Sequence, residues 1–156
     1  MPAKRTAVPK TVLYNRQKAL KVPLPWLRRL VKAAVPGCMA QGKQCDDAVL
    51  VTLPEVEITF VDDAEIARVH DEFLNDPTPT DVITFHHGEI LISTETAARQ
   101  ALDHGQPFEH ELALYAIHGL LHLAGWHDED DAEAEAMARV QAGILQQALA
   151  KVGSPS

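Results

Sequence analysis

Residues 118–128 read His-Gly-Leu-Leu-His-Leu-Ala-Gly-Trp-His-Asp. His118 and His122 stand four apart inside an apolar run. On a helix that spacing puts both imidazoles on one face, one turn apart, where two neutral rings can share a metal ion. Gly125 follows where a left-handed residue ends a helix. Beyond the turn, Asp128 or His127 offers a third ligand. Three protein ligands with a coordination position left open are the layout of a catalytic metal rather than a structural one.

A water bound to such a metal becomes a nucleophile near neutral pH and can attack a phosphodiester or an amide. Three histidines leave a zinc site at a charge of about +2, whereas two histidines and Asp128 leave it at about +1, which loosens the preference for zinc over nickel, iron or manganese. The spacing is close to that of metzincin proteases, His-Glu-x-x-His-x-x-Gly-x-x-His. Their general-base Glu falls on position 119, which is Gly here, and this argues against peptide hydrolysis. Glu89 is a candidate base for the water.

The stretch 118–128 resembles the bacterial YbeY family of ribosomal RNA maturation endoribonucleases, whose signature is His-Gly-x-Leu-His-Leu-x-Gly-Tyr-Asp-His. His118, Gly119, Leu121, His122, Leu123 and Gly125 match it. Upstream, Pro79-Thr80-Asp81-Val82-Ile83-Thr84-Phe85 and Gly88-Glu89-Ile90 resemble two further family blocks, and Glu129–Met137 resembles the acidic stretch before the last helix. The resemblance implies an α+β fold with one zinc per chain. It also implies cleavage of single-stranded RNA, in maturation of the 16S ribosomal RNA 3′ end and in ribosome quality control on the small subunit. The register makes Asp128 the third ligand with His127 as the alternative, because this chain reads His-Asp where the family reads Asp-His. Leu74 stands where the family often has an Arg. That departure and the altered ligand raise an alternative: a non-catalytic assembly factor that keeps the metal for structure.

The charge is distributed unevenly. Residues 1–45 carry ten Lys and Arg and no acid, and the remainder carries all 22 acids and four basic residues. A run this one-sided suits a polyanion, and Arg28, Arg29 and Lys32 on one predicted helix are the candidate RNA contacts. With 156 residues, 46% of them hydrophobic, the chain can bury one core. No apolar run reaches the ~18 residues of a membrane span, and the basic start has no hydrophobic stretch of a signal peptide. A soluble cytoplasmic protein follows as the expectation, with Cys38 and Cys45 as free thiols. Oligomeric state is not legible.

The elements that must position the site are read from periodicity and punctuation. Residues 1–10 read as a basic flexible tail and 11–150 as one domain. A short β-run lies in 11–17, and a helix over 24–35 is stopped by Pro36-Gly37. Strands are predicted over 56–61, 81–85 and 89–93, with a helix after Asp62-Asp63 that breaks at Asn75–Pro79. Helices follow over 94–101, 109–124 and 130–150. The whole is a small mixed sheet of about four strands packed with helices, with the metal site on a long central helix and the turn after it. Asp81 reads mainly as a turn cap. Only one of the adjacent His86 and His87 can face the site. His70, His104 and His110 read as surface residues and Trp26 as core.

Overall fold

The computed structural model describes residues 7–155. Its elements run β1 (Lys10–Asn15), α1 (Leu24–Ala40), a 3-10 turn (Leu50–Thr52), β2 (Glu55–Val61), α2 (Asp63–Leu74), β3 (Val82–Phe85), β4 (Glu89–Ser93), α3 (Thr94–His104), α4 (Phe108–Leu123) and α5 (Asp131–Val152). The four strands form one sheet in the order β1-β2-β4-β3. The β1–β2 and β2–β4 pairs are parallel and β3–β4 is antiparallel. The fold is α+β, as the order of elements predicts.

Alternation along the strands divides the sheet into two faces. Leu13, Val56, Ile58, Phe60, Ile90 and Ile92 enter the main core, with Leu27, Leu30 and Val31 of α1 and Leu112, Ile117 and Leu120 of α4. On the other face Val61, Ile83 and Leu91 meet Ile66 and Val69 of α2 in a small second core. β3 forms one edge and β1 the other.

Several boundaries differ from the sequence reading, two of them with a bearing on the fold. Lys10 belongs to β1, paired with Glu55, so the tail is shorter than expected; residues 1–6 of it lie outside the described residues. Helix α1 passes through Pro36 to Ala40. Proline forfeits one backbone hydrogen bond, but Pro36 is exposed, and the buried stripe Ala34, Val35 and Cys38 runs on past it. Gly37 admits Ile144 of α5 to within 3.4 Å of where a Cβ would stand. Packing against α4 and α5 outweighs the local penalty. Both cysteines are free; burial pushes the Cys38 thiol up to about 12.

Aspartates cap two of the other helices. Asp62 accepts from the Glu65 N–H at the start of α2, and Asp130 accepts from the Glu133 N–H at the start of α5, satisfying donors that a helix start leaves free. Among the described residues no helix is long and apolar enough to cross a membrane.

Candidate metal centre

Helix α4 is buried over most of its length. Position 119 faces β4 so closely that a Cβ there would lie 2.8 Å from Ile90 Cδ1 and Cγ2. That contact fixes the rotation of α4. His118 and His122, on another side of the helix, are half-buried with 25% and 22% side-chain exposure. Their Nε2 atoms are 3.0 Å apart. After the helix, Gly125 adopts φ +96, and a Cβ on it would meet Cys45 Sγ at 2.8 Å, Ala48 Cβ at 3.0 Å and Lys43 Cβ at 3.1 Å. Both the left-handed backbone and the close approach demand glycine. The reversal brings Asp128 Oδ2 to 3.3 Å from His118 Nε2 and Oδ1 to 3.8 Å from His122 Nε2.

The three ligand atoms lie within 4.8 Å of one another. Two nitrogens bound tetrahedrally at ordinary zinc distances stand about 3.3 Å apart, close to the spacing found. The far side of each ring is tied off. His122 Nδ1 donates to the Trp126 carbonyl at 2.9 Å, and His118 Nδ1 donates to Gln141 Oε1 at 2.9 Å. With each Nδ1 engaged by an oxygen acceptor, each ring in its neutral form presents its Nε2 lone pair on the side shared with Asp128. Outer partners of this kind orient ligand imidazoles. Burial holds the His122 proton affinity below the usual range; the neighbouring His118 acts in the same direction, and the Trp126 carbonyl and Asp128 offset only part of it. A neutral ring is the form that binds metal.

The residues singled out in the sequence do not all converge. His127 turns to Asp47, Nε2 to Oδ2 at 3.1 Å, and stands outside the three-ligand group. Glu89 is not brought to the histidines. Ile90 points at α4, so its neighbour Glu89 projects from the opposite face, 3.5 Å from His87 Nε2, into a groove of ≈ 720 Å³ beside α2. Its expected role as base is corrected on that ground. Arg28, Arg29 and Lys32 are exposed on α1. Arg28 Nη2 donates to the Leu13 carbonyl at 3.3 Å, which anchors it at the β1 edge. None of the three lines the cleft beside His122.

That cleft, of ≈ 250 Å³, adjoins the β3 edge and is lined by His70, Leu74, Thr84, His86, Trp126 and His127 along with His122. His86 is the member of the adjacent pair that faces it, and His87 stacks on Phe85 across the sheet. His70 lines the cleft too, although no spacing in the sequence pairs it with another ligand; its Nδ1 donates to the Thr78 carbonyl at 2.9 Å. Thr84 Oγ1 is buried there with no hydrogen-bond partner. Asp81 serves as a cap, accepting from the Val82 N–H at 2.8 Å. Trp26 is core, its indole donating to the Gly153 carbonyl at 2.8 Å. Gln141 carries no signal in the sequence, lying 23 residues beyond His118 in an Ala- and Gln-rich helix.

The family profile described as Endoribonuclease YbeY matches residues 12–149. Endoribonuclease YbeY of Syntrophotalea carbinolica is 32% identical over 154 residues, covering 84% of this chain and 95% of that protein. The Chelativorans protein of the same name is 35% identical over 133 residues, covering 77% and 78%. A solution structure of a Thermotoga maritima protein superposes with a TM-score of 0.62 at 24% identity, covering 90% of each chain, and shares the fold. By the extent of the profile match and these identities, the chain belongs to the YbeY endoribonuclease family.

Proposed function

We propose that this protein is a single-strand-specific metallo-endoribonuclease that matures the 3′ end of 16S ribosomal RNA and serves in ribosome quality control on the small subunit. The observation that carries the reading is the convergence of His118 Nε2, His122 Nε2 and the Asp128 carboxylate with both imidazole Nδ1 atoms already engaged. Family membership supplies the reaction class. We assign the metal to His118, His122 and Asp128, and zinc as its identity, on ligand type and spacing. Zinc held there supplies Lewis acidity, lowering the pKa of water and offsetting charge on the phosphodiester.

The chain's own groups do the rest. Gln141 and the Trp126 carbonyl hold the two rings in the binding tautomer. The β3 edge forms the wall along which a single strand lies, where Thr84 Oγ1 offers an unspent hydrogen bond and His86 a second polar contact. Trp126 presents an indole on which a base can stack. Arg28, Arg29 and Lys32 extend the phosphate contact along α1, away from the cleft.

The test is cleavage of a labelled single-stranded RNA and of its duplex, with wild type and with His118→Ala, before and after chelation. Cleavage confined to the single strand, lost on chelation and absent from His118→Ala, supports the proposal. Persistent cleavage by His118→Ala contradicts it. Stoichiometric metal without turnover on any RNA favours the assembly-factor reading.

A further inference from the structure

The segment 41–49 grips the turn that carries the third ligand. The Lys43 N–H donates to the Ala124 carbonyl at 2.9 Å and the Val49 N–H to the Leu123 carbonyl at 2.8 Å, and Ala48 bridges Ala124 in antiparallel fashion. Trp126 Nε1 donates to the Gln41 carbonyl at 2.7 Å, with Lys43 Nζ 4.0 Å from the centre of its ring. Gly125 packs against Cys45, Ala48 and Lys43. Within this grip one side-chain pair touches the ligand-bearing residues: Asp47 Oδ2 lies 3.1 Å from His127 Nε2.

His127 and Asp128 are consecutive residues that both carry ligand atoms, and His127 lines the same cleft as His122. Imidazole and carboxylate both bind zinc at about 2.0–2.2 Å, so the choice between them rests on a small bias. We infer that Asp47 is a positioning residue that holds His127 away from the metal and thereby selects Asp128 as third ligand. The inference rests on the metal reading above. Asp47 and His127 are 56% and 40% exposed, and a polar contact so exposed contributes little to folding. Its consequence is chemical. Two neutral imidazoles and one carboxylate lower the net charge of the site by one relative to three imidazoles, and the harder ligand shifts selectivity among divalent metals.

The test uses the full chain and measures zinc affinity by chelator competition and the visible absorption of the cobalt(II) form. The variants are Asp47→Ala, Asp128→Ala, Asp47→Ala/Asp128→Ala and that pair with His127→Ala, each checked for folding by circular dichroism. Loss of a direct ligand in Asp128→Ala should weaken zinc binding by about 100-fold or more, beyond the usual effect of an outer partner. Adding Asp47→Ala frees His127 and should restore roughly tenfold of that loss, a coupling of ordinary size for neighbouring residues. The recovery should vanish with His127→Ala. Asp47→Ala alone should change the cobalt spectrum as a third nitrogen enters.

No recovery in the double variant overturns the inference and leaves the metal site standing. Recovery that survives His127→Ala, or an unchanged cobalt spectrum in Asp47→Ala, also overturns it. A wild-type protein that takes up neither zinc nor cobalt removes the metal reading and the inference together.

Discussion

Ile90 of β4 occupies the space that any side chain at position 119 of α4 needs, with two of its carbons 2.8 Å from where a Cβ would stand. Ile90 is fully buried and β-branched, so its Cγ2 has no free rotation by which to yield. Gly119 is thus a packing residue, and the same close approach keeps a protease-type glutamate out of that position. Gly119→Ala should destabilise the fold by about 1–3 kcal/mol through overpacking, read as a lower denaturant midpoint at unchanged m-value. Restoring space with Gly119→Ala/Ile90→Val should recover part of the loss.

The hydrogen bond from His118 Nδ1 to Gln141 spans α4 and α5. Gln141→Ala leaves His118 free to take the other tautomer, which puts the proton on the metal-facing nitrogen. Metal affinity should fall by about 10–100-fold, while the thermal midpoint of the metal-free protein stays close to wild type. A chelator titration and a melting curve on the same sample separate the two effects.

Asp63, at the first turn of α2, ties that helix to the start of α3. Burial pushes its carboxyl up, but hydrogen bonds from Ser93, Thr96 and Arg99, together with the Arg99 charge, outweigh burial and hold it below its ordinary 3.8. The unfolded chain therefore binds the proton more readily than the folded one. This contribution to stability is complete well above pH 3.8 and is lost as pH falls from there through the lower folded value. Asp63→Asn should be less stable than wild type at pH 7, and the gap should close on acidification below 3.8. A gap that stays constant with pH contradicts the assignment.

Arg28, Arg29 and Lys32 sit on α1, away from the histidine cleft. If they meet phosphates, replacing all three by Gln should weaken RNA binding uniformly across sequences. It should also reduce the salt dependence of log K by about 0.7 for each phosphate of a single strand that is no longer neutralised. Turnover at saturating RNA should not change. An unaltered salt slope would place the RNA elsewhere on the surface.

The legible parts of the molecule are those where chemistry and local geometry coincide. His118, His122 and Gly125 are readable because helical spacing and a left-handed turn impose a fixed pattern on the chain. The strand of 56–61 is readable from alternation, and α2 from the Asp62-Asp63 pair that precedes it. What escapes the sequence depends on distant partners. Pro36 signals a helix end, yet the buried stripe on α1 continues to Cys38 because α4 and α5 cover it. Glu89 has a suitable chemistry, and only the packing of Ile90 on Gly119 shows which face it leaves by. His70, Gln141 and Asp47 meet the site through tertiary contacts that no spacing in the sequence encodes.

The most direct measurement of metal-dependent cleavage at this site is metal content by elemental analysis on wild type, His118→Ala and Asp128→Ala, with single-stranded RNA cleavage followed on the same preparations. The predicted result is about one metal per chain in wild type, loss of that metal in both variants, and cleavage that rises and falls with it. Cleavage undiminished in metal-depleted protein would contradict a metal-dependent reaction at His118, His122 and Asp128.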